Sequence, residues 1–188
     1  MEGYQITQWC HHFLREHIRP GDLCIDATLG NGQDTKLLCQ LAGPTGKVLA
    51  FDIQPEALAH TASLLKESHV PENYRLILDS HEHMGSYADC ASVRCITFNF
   101  GYLPGGDHAT CTRADSSLAA VKTGLSLLQT GGIMSLCIYS GGDSGFEERN
   151  ALLAFLSQLD YRKYLVIRSD YYNRPNHPPI PVLVIRLR

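Results

Sequence analysis

The stretch that most constrains this chain is Asp26-Ala-Thr-Leu-Gly-Asn-Gly-Gln-Asp-Thr35. An apolar run, Leu23-Cys-Ile25, leads into a carboxylate; two glycines follow, two positions apart, and then the helical pattern Lys36-Leu-Leu-Cys-Gln-Leu41 begins. That is a strand, a tight turn and a helix. Gly30 and Gly32 allow positive φ and a close backbone approach to a ligand, and the start of the helix turns free N–H groups towards whatever lies above the turn. Glycines occur in the turns of any α/β protein, so the pair alone says little. Its context says more: Val48-Leu-Ala-Phe51 ends in Asp52, roughly twenty residues further on, where nucleotide folds place the carboxylate that accepts ribose hydroxyls. Thr35 stands where the third glycine of a dinucleotide fingerprint would be, which favours a site for one nucleoside.

Ile6, Trp9, Cys10, Phe13, Leu14, His17 and Ile18 form one apolar stripe, so the chain opens with an amphipathic helix that Pro20-Gly21 ends. Strands are expected at 22–26, 47–52, 74–78, 94–98 and 133–139. Helices are expected at 31–42, from Pro55 to about Ser68, around Leu118, Val121, Leu125 and Leu128 until Gly131-Gly132, and from Glu147-Glu148 onwards. Alternation of this kind implies parallel β-α-β units. The last apolar runs, 164–167 and 180–187, have no helical pattern between them and read as an antiparallel pair.

The 188 residues suit one domain, residues 1–188, with a single sizeable core. No apolar stretch approaches the ~20 residues of a membrane span, and no basic region followed by an apolar signal segment opens the chain, so a cytoplasmic protein without a membrane partner is expected. The seven cysteines contain no Cys-x-x-Cys pair and read as reduced core residues. His11-His12 and His81-Glu-His83 lack a third ligand at a usable spacing, so no metal is assigned. A net charge of -3 does not suit a general nucleic-acid coat. From Arg162 onwards, however, six Lys/Arg face a single Asp170, which is either a local basic face for RNA or a solvated edge.

The segment 26–35 followed by Ala50-Phe-Asp-Ile-Gln54 resembles the first two motifs of class I S-adenosylmethionine (SAM) methyltransferases. Within that group the chain is similar to a small family labelled rRNA methylases, understood as tRNA wobble-uridine methyltransferases acting on the amine of 5-aminomethyl-2-thiouridine. Two further stretches carry the likeness: Asn99-Phe-Gly-Tyr-Leu-Pro-Gly-Gly-Asp107 and Asn173-Arg-Pro-Asn-His-Pro-Pro179. The resemblance implies a Rossmann-like class I fold: a seven-stranded, mostly parallel sheet with an antiparallel last strand and helices on both faces. It also implies SAM as cofactor and the anticodon loop of tRNA as substrate. The family pattern has a His at the position of Gly142, so no His-dependent role is carried over there.

In such a sheet the ligand lies across the carboxyl ends of the strands. Asp26, Thr28, Gly30, Asn31, Gly32, Asp34, Thr35, Asp52, Gln54, Asp79, Ser80 and His81 are expected to bind SAM: Gly30 to Asp34 at its methionine end, Asp52 at the ribose, and Ser80 and His81 at the adenine, with helix capping as the alternative role of the last two. Asn99 and Tyr102 stand where amino-methylating enzymes carry an Asn/Asp-Pro-Pro-Tyr motif, in which the Asn oxygen accepts from an NH2 group and Tyr stacks on the base. Phe100 and Gly101 replace the two prolines, which suits a flexible alkyl amine. Such an amine must lose a proton before attack, and Asp107, His108 and Asp143 are candidates to receive it. Gly105, Gly106, His108, Tyr139, Asn173 and Asn176 complete the expected substrate contacts. Methylation of an rRNA base or a small amine is the alternative within enzymes; a nucleotide-binding dehydrogenase or a non-catalytic SAM-binding module is the alternative outside them. The RNA would be held by this domain alone or by a homodimer, which would supply additional basic surface.

Overall fold

The computed structural model describes residues 5–100, 114–140, 142–175 and 177–188. Helix α1, Ile6–His17, sets Cys10 and Leu14 one turn apart on its buried side, and Ile18 carries the stripe past its end. The helix stops there because Ile18 turns extended while its N–H still closes on the Leu14 carbonyl at 3.0 Å. β1 (Leu23–Asp26), α2 (Gln33–Ala42) and β2 (Lys47–Asp52) make the first β-α-β unit. Pro55 opens α3 (Pro55–Glu67), whose buried Ala57, Thr61 and Leu65 recur every four residues, and β3 is Tyr74–Leu78. A 3-10 helix, His81–Ser86, precedes β4 (Val93–Phe100); α4 (Ala114–Leu127), β5 (Leu128–Ile138), α5 (Gly142–Ser157), β6 (Tyr164–Arg168) and β7 (Ile180–Arg186) complete the chain.

The sheet order is β3-β2-β1-β4-β5-β7-β6. All neighbours from β3 to β5 are parallel, and β7 runs antiparallel to both β5 and β6. This is the seven-stranded, mostly parallel sheet with an antiparallel last strand that was expected. Alternating side chains divide the core: Cys24, Val48, Cys95 and Ile133 meet Leu14 and Leu38, whereas Ile25, Leu49, Ile96 and Met134 meet Val121, Leu125 and Leu152. Because both faces are covered, the central strands are largely apolar, as parallel strands usually are, with Asp26, Thr97 and Ser135 as buried polar exceptions.

Some expected boundaries move. Leu128 is not the last apolar position of a helix; it pairs with Val93 and begins β5. Gly131-Gly132 therefore stops no helix. The pairing passes from Val93↔Leu128 to Cys95↔Ile133, and the two glycines lie within that irregularity, Gly131 at φ 76°. A Cβ on Gly132 would sit 2.8 Å from the Gln129 carbonyl oxygen and 3.0 Å from that of Val93, so glycine is needed for close backbone approach rather than for termination. α5 begins at Gly142, earlier than Glu147, and β4 continues to Phe100, which puts Asn99 inside a strand rather than at the head of a loop.

Candidate functional site

β1 and β4 are the neighbours between which the sheet changes direction of winding, and the turn after β1 opens at that point. Gly30 (φ 49°) and Gly32 (φ 73°) take the left-handed conformations the turn requires. The Gly30 N–H donates to Asp52 Oδ2 at 3.0 Å, and Asp52 Oδ1 accepts from the Gln54 N–H at 3.0 Å. Backbone donors from two turns thus orient the carboxylate expected at the ribose. Asn31 is exposed at the tip, whereas Gly32 is buried beneath it as the cap residue of α2.

Asp26 is fully buried, accepting from Thr35 Oγ1 at 2.6 Å and from the Thr28 N–H at 3.2 Å. Burial first, and then the charge of Asp34, push its carboxyl up to about 7. Thr28 Oγ1 in turn accepts from the Asn99 N–H at 2.7 Å, tying the turn to β4. Asp34 uses both oxygens: Oδ1 lies 2.5 Å from His11 Nε2 on α1, and Oδ2 accepts from Asn99 Nδ2 at 2.8 Å. The remaining amide atom, Asn99 Oδ1, is buried and has no partner among the described residues.

At the end of β3 the Asp79 carboxylate accepts from the Ser80 N–H, from His83 Nδ1 at 2.8 Å and from Tyr87 Oη at 2.8 Å; the bonds from His83 and Tyr87 hold it below the usual carboxylate range. Ser80 caps the 3-10 helix, accepting from the Glu82 N–H, so the capping role foreseen for it is present. His81 turns inward. Its Nδ1 lies 3.2 Å from the Ala27 carbonyl, burial lowers its pKa, and the neutral ring donating there leaves Nε2 as a buried acceptor without a described partner.

Tyr139 follows β5 and donates its N–H to the Phe100 carbonyl at 3.1 Å. Burial, and then the neighbouring Cys137 and Asp34, push its hydroxyl up to about 12. It lines a cavity of about 510 Å³ together with Gln5, Ile6 and Thr7 of the α1 end and Tyr171, Arg174 and three prolines of the β6–β7 connection. Asn173 is exposed on that same connection. Tyr102, Gly105, Gly106, Asp107, His108 and Asn176 lie outside the described residues.

The structure thus gathers Asp26, Thr28, Gly30, Asp34, Thr35, Asp52, Gln54 and Asn99 around one turn, with His81 joined through the Ala27 carbonyl. Carboxylates at Asp34 and Asp52 favour a cationic ligand carrying hydroxyl groups, which fits SAM, while the sealed Asp26 braces the turn from beneath. Three features escaped the sequence: the contact of His11 with Asp34, the cavity, and the exposed apolar side chains of Ile53 and Leu78 beside the tips of β2 and β3. His11 lies three residues before Leu14 and seven before Ile18, so helical spacing puts it on the inward stripe.

A family model described as "Putative rRNA methylase" matches residues 48–185. A chloroplastic protein of Arabidopsis thaliana named tRNA (mnm(5)s(2)U34)-methyltransferase is 36% identical over 183 residues, covering 93% of this chain and 67% of its own length. Among solved structures, a protein from Clostridium thermocellum described as an rRNA methylase superposes with a TM-score of 0.94 at 40% identity, over 99% of this chain and 100% of that one. A Streptococcus mutans protein described as a methyltransferase, solved in complex with SAH, superposes with a TM-score of 0.88 at 34% identity, over 97% and 98% of the two chains.

Proposed function

The chain belongs to the rRNA methylase family and is a SAM-dependent methyltransferase, and from that premise we propose that it methylates the amine of 5-aminomethyl-(2-thio)uridine at the tRNA wobble position, giving 5-methylaminomethyl-(2-thio)uridine. The observation that carries the proposal is Asn99 Oδ1, buried and without a partner among the described residues. A buried acceptor without a donor is costly, and an incoming N–H relieves that cost. Asn99 Nδ2 is committed to Asp34, so the amide presents an acceptor, and an amine is the group that satisfies it.

SAM supplies an electrophilic methyl group on a sulfonium. Asp52 would hold its ribose hydroxyls, Asp34 would balance its positive charge, Asp26 would brace the turn that carries them, and Ile53 and Leu78 offer exposed apolar surface for the adenine. The amine reaches the site largely as ammonium and must give up one proton; its lone pair then forms the N–C bond while the C–S bond breaks. Asp107 is the proposed acceptor of that proton, and Tyr102 the proposed stacking partner of the base. The cavity beside Tyr139 and Tyr171, at about 510 Å³, is in the ~300–1,000 Å³ range of small-ligand sites and suits an extruded nucleoside with Arg174 at its phosphate. Catalysis then rests on positioning and on preorganised acceptors.

The test is nucleoside mass spectrometry of tRNA taken from cells lacking this enzyme and incubated with the purified protein and methyl-labelled SAM. Label in 5-methylaminomethyl-(2-thio)uridine is the expected result. Label that appears only in rRNA or in a small amine would replace the tRNA assignment while leaving methyl transfer intact.

A further inference from the structure

Building on the amine reading above, we propose that His11 is a positioning residue for methyl transfer: by engaging the second oxygen of Asp34, it fixes the direction and acceptor strength of Asn99 Oδ1. Three elements converge here, α1 through His11, α2 through Asp34 and β4 through Asn99. His11 Nε2 lies 2.5 Å from Asp34 Oδ1, and the two side chains are only 18% and 12% exposed, so water competes little for either. Asn99 Nδ2 donates to Asp34 Oδ2 at 2.8 Å, while its backbone N–H is held by Thr28 Oγ1 at 2.7 Å.

An amide whose NH2 donates to a carboxylate carries more electron density on its oxygen, because the two ends of the amide are conjugated. The opposite amide orientation would set Oδ1 against the carboxylate, so Asp34 also fixes which end faces the substrate. A carboxylate with one partner rotates about its own bond; with His11 on one oxygen and Asn99 on the other, its plane is set. His11 touches neither the methyl donor nor the amine in this account. Its effect passes through Asp34.

The experiment compares His11→Ala and His11→Gln with the wild type, reading SAM affinity by calorimetry and single-turnover methyl transfer to tRNA bearing 5-aminomethyl-2-thiouridine. His11→Ala is expected to keep SAM affinity within about twofold and to slow transfer about 10- to 100-fold, the scale of one lost charge-assisted hydrogen bond. His11→Gln retains an N–H donor and is expected to recover most of the rate. If His11→Ala fails to fold, His11→Phe, which fills the space without a donor, takes its place. A wild-type rate in His11→Ala overturns the proposal, as does a folded His11→Gln no faster than His11→Ala. A wild-type protein inactive on this tRNA would instead defeat the substrate reading. The His11 claim is then decided by NMR of the Asn99 side-chain amide, whose Nδ2 proton signal is expected to move in His11→Ala and return in His11→Gln; an unmoved signal overturns it.

Discussion

Asp26 shows how one residue type takes different roles within a single turn. Asp52 is partly exposed and held by backbone donors, whereas Asp26 is sealed beneath the turn with its carboxyl raised to about 7. The folded state therefore binds the proton more tightly than the unfolded chain does. Stability from this group is fully present below about pH 4 and is lost as pH rises through about 7. In SAM-free protein, the difference in urea midpoint between wild type and Asp26→Asn is expected to shift in favour of the variant from about pH 5 to about pH 8; a difference independent of pH would refute the assignment. Much at this scale was legible beforehand, because strand ends and glycine spacing marked Asp26, Asp34, Asp52 and Asn99. The bonds among them were not, since Asp34 reaches His11 and Asn99 over sequence separations that no local pattern encodes. Asp79 is a related case: expected to bind the cofactor, its carboxylate accepts from Ser80, His83 and Tyr87 of its own neighbourhood.

Elements with both an apolar period and a stop signal were readable, and β2 and β3 fall where expected. The α4–β5 junction was not, because Leu128 suits the last turn of a helix as well as the first position of a buried strand. Pairing with Val93 decides the matter, and that contact is tertiary. Arg94 secures the irregularity from the neighbouring strand, donating to the Gly131 carbonyl at 3.1 Å. Gly132→Ala is expected to cost about 1–3 kcal/mol in urea unfolding, because the added Cβ meets carbonyl oxygens of the backbone, which cannot swing aside as a side chain would. Loss of less than about 0.5 kcal/mol would mean that the bulge relaxes freely. The same junction supports the site, since β5 pairs along β4 as far as Phe100, one residue beyond Asn99.

For the whole molecule, alternation of strand and helix was enough to predict a parallel sheet with an antiparallel end, while the spatial order of strands came only with the structure. Charge is a different matter. Of the basic residues after position 161, Arg162 and Arg168 form ion pairs with Asp160 and Asp170, and Arg186 donates to the Leu128 carbonyl. The tail is thus less of a basic face than its composition suggested, and Arg174, on the cavity wall, is the cation proposed to meet a phosphate. Arg174→Ala is expected to raise KM for tRNA several-fold, to lower the salt dependence of tRNA binding by about one phosphate contact and to leave SAM affinity unchanged. An unaltered KM would place the RNA elsewhere.

These scales meet at Asn99, where the turn after β1, helix α2 and the sheet converge. The most direct measurement is single-turnover methyl transfer by Asn99→Ala at saturating SAM, with SAM binding confirmed by calorimetry on the same preparation. The account predicts unchanged SAM affinity and a rate at least about 100-fold below wild type, as for removal of a preorganised transition-state contact. A variant that binds SAM and transfers the methyl group at the wild-type rate would contradict it.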